Sequence, residues 1–96
     1  MTDDATFAFR LFIAGDALNS TQAVSNLTAI CHTYLPGRHD IEVVDIFSQP
    51  LRALEERVFL TPTLIKLAPQ PVRRIVGTLS QTQRVIEALG LGDSHD

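Results

Sequence analysis

The fold of this chain is decided by residues 6–14, which run Thr6-Phe7-Ala8-Phe9-Arg10-Leu11-Phe12-Ile13-Ala14. Side chains of a strand alternate between its two faces, so the odd positions place two phenylalanines, a leucine and an isoleucine together. The even positions are also mostly apolar, with Arg10 as the charged exception. A strand that is apolar on both faces is typical of a sheet covered by helices on both sides. We therefore predict a central strand over Thr6–Ala14.

A helix and a second strand are predicted directly after this strand. The helix runs from about Ser20 to Leu35, because apolar residues recur there on one stripe at helical spacing. Asn19 or Ser20 is the expected N-cap, and Pro36-Gly37 ends the helix. The β-branched segment Ile41–Phe47 is the second strand. A crossover helix between two strands predicts a parallel pair with a right-handed connection.

The next helix is predicted to be short. It begins at Ser48-Gln49-Pro50, because proline is tolerated in the first turn of a helix. Leu51, Leu54 and Val58 form its apolar stripe, which we expect to face the core.

Two strands and a last helix complete the chain. The strands are predicted at Leu64–Leu67 and Val72–Val76, and Ser80-Gln81-Thr82-Gln83 has the form of a capping box that opens the helix. The order βαβαββα is that of a thioredoxin-like α/β fold. Three prolines between Leu60 and Gly77 remove ladder donors, so strand pairing in this segment is conditional, and a helical or loop state fits it about as well.

Size and composition bound the possible functions. The 96 residues predict a single domain over 1–96, with an ordered core at about 6–89 and loose ends at 1–5 and 90–96. Eleven acids against eight bases give a net charge of −3, which argues against nucleic-acid binding. The chain carries no apolar run that is long enough to span a membrane. A lone cysteine and an acidic N-terminus favour the cytoplasm.

No catalytic, metal or cofactor site is expected. A dithiol oxidoreductase needs two cysteines at the start of the first helix, where this chain has Gly15 to Ser20 and no cysteine. Cys31 lies on the apolar stripe of that helix and is expected to be a buried hydrophobe. The three histidines, His32, His39 and His95, form no motif with metal-ligand spacing.

Two features stand out from this background. Thr61-Pro62-Thr63 places a proline just before a predicted strand, where it is either a rigid turn or the cis proline common in thioredoxin-like folds. Arg73-Arg74 follows Pro69-Gln70-Pro71. On a strand these two arginines project to opposite faces, and one of them needs a carboxylate or a partner subunit; in a helix or loop both face water.

From about Phe9 to Leu89 the chain resembles the KaiB family of circadian-clock proteins. The resemblance is carried by Leu11-Phe12-Ile13-Ala14-Gly15 with Asn19-Ser20, by Thr61-Pro62-Thr63-Leu64-Ile65-Lys66, and above all by residues 69–77, Pro69-Gln70-Pro71-Val72-Arg73-Arg74-Ile75-Val76-Gly77. It implies a protein without enzyme activity that binds the ATPase KaiC, joins KaiA and competes with a KaiB-like sensor histidine kinase.

The resemblance also implies a second fold. The family's thioredoxin-like monomer binds KaiC, whereas a ground state, a tetramer or dimer, packs the C-terminal half differently. Pro62, Pro69 and Pro71 match the prolines associated with this switch. The basic residues expected to contact a partner or a neighbouring subunit are Arg10, Arg57, Lys66, Arg73 and Arg74.

Some positions depart from the family pattern. Gln70 and Thr78 replace a proline and an aspartate, Gln22 stands where a base is frequent, and Glu42 reverses a charge. Gln22 and Glu42 favour a second hypothesis, a KaiB-like adaptor of a stress-response pathway that is not coupled to an oscillator. A third hypothesis, which does not rest on these departures, is a redox protein that uses Cys31 alone.

Overall fold

A computed structural model describes residues 5–91, which form four strands and three helices. In chain order the elements are β1 (Phe7–Ile13), α1 (Leu18–Tyr34), β2 (His39–Asp45), α2 (Pro50–Glu55), β3 (Thr63–Ala68), β4 (Arg73–Val76) and α3 (Thr82–Leu89). This order confirms the thioredoxin-like βαβαββα prediction. The predicted loose ends fall mainly on residues 1–4 and 92–96, which lie outside the described residues.

The four strands form one sheet in the order β2-β1-β3-β4. The pair β1–β2 is parallel, as the crossover predicts, and its register places Arg10 opposite Glu42. The strands β3 and β4 join antiparallel, with Phe12 opposite Thr63 and Thr63 opposite Val76. The strand β1 is therefore an inner strand with a partner on each side.

Two apolar cores cover the faces of this sheet. The larger one packs the odd-numbered side chains of β1 against α1 and α3, and its buried members are Phe7, Phe9, Leu11, Ala23, Leu27, Ile30, Cys31, Leu35, Leu64, Leu79, Val85 and Leu89. The smaller one lies on the α2 side and consists of Phe12, Val44, Ala53, Val58 and Ile65. The alternation within β1 thus supplies both cores, as its sequence predicts.

The start of α1 and the position of β2 differ from the predictions. Ala17 is the N-cap of α1 and no side chain caps the helix, because Ser20 is buried and its Oγ accepts the Ala14 N–H at 2.9 Å. The strand β2 ends at Asp45 and not at Phe47. Its end is set by a turn in which the Asp45 Oδ1 accepts the Phe47 N–H at 2.9 Å.

The predicted inward stripe of α2 was wrong at two positions. Leu51 and Leu54 are exposed, whereas Ala53 and Val58 are buried against β1, β2 and β3. The capping box of α3 was also wrong. Gln81 is the N-cap without a side-chain bond, and the Ser80 Oγ instead accepts the Thr78 hydroxyl at 3.1 Å.

Candidate protein-binding surface

One end of the sheet collects four chain segments, which we call the loop end. The strands β1, β2 and β4 finish there and β3 begins there, as the pairing of Phe12 with Thr63 and of Thr63 with Val76 requires. The segments 14–17, 46–49, 59–62 and 77–81 therefore lie at the same edge. Loops at one end of a rigid sheet are a common place for binding residues.

The loop end exposes large apolar side chains. Phe47 and Phe59 are 74% and 77% exposed, and Leu18 and Leu60 are almost as open to solvent. We call these four residues the apolar surface. Apolar groups grouped on the surface of a small soluble domain mark an interaction site when they cluster, whereas scattered ones need no explanation.

The backbone beneath the apolar surface is held by polar contacts. The Asp45 Oδ1 accepts the Gly15 N–H at 3.1 Å as well as the Phe47 N–H, which ties the end of β2 to the end of β1. The Phe47 ring then lies against Gly15, where a Cβ atom would sit 3.4 Å from it. Gly15 also has φ of +57°, a conformation that favours glycine.

The helix α2 extends the apolar character along one side of the sheet. Leu51 and Leu54 are three residues apart and so share the outer face of the helix. Both side chains are exposed, while the inner face of α2 is held by Ala53. A six-residue helix therefore presents leucines to solvent on one side and buries only an alanine on the other.

Beside α2 lies a chain of ion pairs that involves Glu42. Its carboxylate accepts the Arg10 Nε at 2.8 Å and an Arg52 Nη at 2.6 Å, and Arg10 also reaches Glu56 at 2.5 Å. Arg52 and Arg10 lower the Glu42 pKa to about 2 by hydrogen bonding and charge. The charge reversal at Glu42 is therefore neutralised by residues of this same chain.

The predicted contact residues fall into separate places. Arg57 and Arg74 are exposed near the end of α2, where Arg74 donates to the backbone carbonyls of Arg57 and Glu56. Arg73 is exposed as well but projects from the opposite face of β4, next to Lys66 in the strand register. The expectation that adjacent arginines take opposite faces holds, and both remain in solvent.

Lys66 lies in the interior. Its side chain is 4% exposed, its Nζ donates to the Leu89 carbonyl at 3.4 Å, and the same atom lies 5.6 Å from the centre of the Phe7 ring. Burial lowers the Lys66 pKa, and nearby Arg73 lowers it further. In this arrangement Lys66 supports the C-terminus of α3 and is not accessible to a partner.

The three prolines singled out in the sequence follow cis peptide bonds, at Thr61-Pro62, Ala68-Pro69 and Gln70-Pro71. Pro62 is buried and precedes β3, while Pro71 is exposed before β4. The prolines flank both strands and do not interrupt them, which explains how a proline-rich segment pairs in the sheet.

Cys31 is buried, and burial raises the pKa of its thiol to about 11. Because the thiolate is the reactive form of cysteine, this argues against the redox hypothesis. Within residues 5–91, His, Cys, Asp and Glu side chains form no group of three that could hold a metal ion. In the same range no helix is both long and apolar enough to cross a membrane.

The apolar surface is not predicted by the sequence patterns. These place Phe47 within a strand and leave the structure of the segment around Leu60 open, so they do not indicate that either side chain is exposed. The signal that was available is the position of Phe47 and Phe59 beside turn-forming residues, Ser48 on one side and Thr61-Pro62 on the other. Large apolar residues next to loops are candidates for surface contacts.

Comparison with known proteins agrees with this architecture and extends it to a family. The family model for the KaiB domain matches residues 10–91. A circadian clock protein KaiB3 from Synechocystis sp. (strain ATCC 27184 / PCC 6803 / Kazusa) is 42% identical over 82 residues, 85% of this chain and 80% of the relative. A circadian clock oscillator protein KaiB from Synechococcus sp. (strain RCC307) is 40% identical over 91 residues, which cover 95% and 83% of the two chains.

Solved structures show the same fold at lower identity. The N-terminal domain of Synechococcus elongatus SasA matches with a TM-score of 0.73 at 17% identity and covers 100% of this chain and 94% of its own. Mitochondrial thioredoxin 3 from Saccharomyces cerevisiae matches with a TM-score of 0.71 at 18% identity, over 91% and 80% of the chains. With a thioredoxin-like sheet, a family model that spans residues 10–91 and relatives at about 40% identity, this chain belongs to the KaiB family of circadian clock proteins.

Proposed function

We propose that this clock regulatory protein acts without catalysis, by binding a KaiC-type ATPase through the loop end in its thioredoxin-like state. The observation that carries the proposal is the apolar surface, Leu18, Phe47, Phe59 and Leu60, which the fold leaves in solvent. Membership in the KaiB family supplies the class of partner. KaiA and a KaiB-like histidine kinase are further predicted partners.

Two exposed arginines near the C-terminal end of α2 support the same assignment. Arg57 and Arg74 are exposed next to α2, and their guanidinium groups form no ion pair among the described residues. Arginine at the rim of an apolar patch suits contact with carboxylates of a partner. Arg10 and Lys66 serve internal contacts in this state, so we assign them no direct role in binding.

The proposal includes the alternative ground state. Within the C-terminal half, β4 offers little burial to resist repacking, because it has four residues and its Arg73, Arg74 and Val76 are exposed. When the competent state is only a fraction of the population, apparent affinity falls by that fraction. We therefore expect slow binding and a resting homo-oligomer, a tetramer or dimer.

Binding to the purified KaiC-type ATPase of the same organism tests the proposal. Phe59→Ser combined with Leu60→Ser should weaken binding at least about tenfold, because an apolar side chain buried at an interface contributes about 1.5–3 kcal/mol. Val72→Ser is the matched control, since Val72 is exposed at the opposite end of β4. Absence of binding in both ATP and ADP, or equal loss in the control, contradicts the proposal.

A further inference from the structure

An open groove lies between β4 and α3. Its volume is about 470 Å³. Ile75, Leu79 and Val85 form an apolar floor, and Ser80 and Arg84 stand at the rim. The groove lies on the α3 face of the sheet, so it adjoins the loop end without containing any residue of the apolar surface.

Beside the groove the sheet has an unpaired edge. The strand β4 is last in the order and pairs only with β3. The Gly77 N–H donates to the Pro62 carbonyl at 2.9 Å. In the register of β3 with β4, Gly77 lies opposite Pro62, two positions beyond the pair of Ile75 with Leu64, so both are hydrogen-bonded pairs. Because hydrogen-bonded pairs alternate in an antiparallel ladder, the backbone groups of Arg74 and Val76 face away from β3. An extended segment can pair with them.

The charges around this edge select the occupant. Arg73 and Ile75 share the α3 face of β4, and Arg84 lies across the groove on α3. Among residues 5–91, Arg10 and Arg52 are the only basic side chains in ion pairs, so neither Arg73 nor Arg84 has a carboxylate partner there. A second copy of β4 carries the same two arginines and no acid, so it would add positive charge at this edge without supplying a carboxylate.

From this juxtaposition we propose that the β4–α3 groove binds an extended acidic segment of another protein as a fifth strand. Its pattern is carboxylate, any residue, aliphatic, any residue, carboxylate. Residues at alternate positions share a face, so the aliphatic side chain enters the groove above Ile75 while the two carboxylates meet Arg73 and Arg84. This interaction is separate from the clock partner proposed above and does not depend on it.

A labelled peptide with the sequence Gly-Glu-Thr-Val-Thr-Glu-Gly tests the proposal. In titrations of the whole chain followed by NMR, it should shift the amide signals of Arg74, Val76 and Arg84. The same peptide with glutamine for both glutamates should bind at least about fivefold more weakly, since charge-assisted contacts contribute about 1 kcal/mol or more. Arg84→Gln should reduce binding of the acidic peptide about two- to fivefold, with Arg38→Gln as the control.

Two N-methylated versions of the peptide test whether it pairs with β4 as a strand. An N-methyl group on the valine or on the threonines removes a backbone donor, and only one of these two peptides should lose binding, because alternate amides face the sheet edge. The proposal is overturned if both methylated peptides bind alike or if the glutamine peptide binds as well as the acidic one. It is also overturned if the signals of Arg74 and Val76 move with protein concentration alone, which would assign the edge to a second copy.

Discussion

Glu42 shows how a single residue changes meaning between sequence and structure. By sequence its negative charge departs from the pattern of the KaiB family, yet Arg10 and Arg52 both contact its carboxylate. The Glu42 pKa of about 2 reports this compensation. The residue therefore closes a local network on the α2 side of the sheet and presents little net charge to a partner.

This network makes a prediction about acid stability. Because the folded-state pKa of Glu42 lies below its ordinary value of 4.5, the ion pairs stabilise the fold above that value and are lost as pH falls toward 2. The carboxylate is 45% exposed, so solvent screening limits its contribution to about 0.2–1 kcal/mol. Glu42→Gln should flatten that part of the pH dependence in urea unfolding between pH 6 and pH 2. Glu87→Gln changes an exposed acid that forms no ion pair among residues 5–91, so it should leave the curve unchanged. An unchanged curve for Glu42→Gln would contradict the prediction.

At the scale of the element, the apolar periodicity of α2 predicts the wrong buried face. Leu51, Leu54 and Val58 share a helical stripe in the sequence, but the helix ends at Glu55. Val58 follows the turn at residues 56–57 and its N–H donates to the Ala53 carbonyl. A stripe predicts a common face only while the helix continues. Two leucines are therefore left outside and a residue beyond the helix completes the core.

Stability measurements can separate the two sides of α2. Val58→Ala should lower the free energy of unfolding by about 1–2 kcal/mol, because Val58 is buried in the smaller core. Leu54→Ala should change it by less than about 0.5 kcal/mol, since Leu54 is exposed and its replacement is a good helix former. Urea unfolding of both variants is the measurement. If both variants lost the same free energy of unfolding, Leu54 would have to be buried in a contact, which contradicts its exposure in this structure.

The same contrast explains what sequence could predict. The strand β1, the parallel pair and the buried Cys31 follow from patterns repeated over many residues, and all are present. The N-cap of α1 and the stripe of α2 depend on one or two residues, and there tertiary contacts overrule local preference. Ser20 caps no helix because its hydroxyl accepts the N–H of Ala14, which directly follows β1. The apolar surface was missed for a related reason, since exposure of Phe47 is set by how β2 ends.

The whole molecule is uneven about its sheet. Twelve buried residues form the core on the α1 and α3 face, whereas five form the core beneath α2. Both proposed binding regions lie at the margins of the sheet, the apolar surface at the loop end and the groove beside the edge strand β4. Regions with few buried contacts open most readily, and binding segments are commonly drawn from them.

Native-state hydrogen exchange should therefore separate the molecule into an inner and an outer part. Amides of β1 and β3 that bond to neighbouring strands should exchange only through global unfolding, because both strands are flanked on each side. Amides of α2 should exchange through smaller openings, since this helix has six residues and buries one. At low denaturant concentrations, the exchange rates of β1 amides should rise more steeply with denaturant than those of α2 amides. The reason is that global unfolding exposes more surface than the opening of one short helix. Equal dependence in α2 and β1 would mean that the helix opens only with the whole fold, and the uneven core would then have no dynamic consequence.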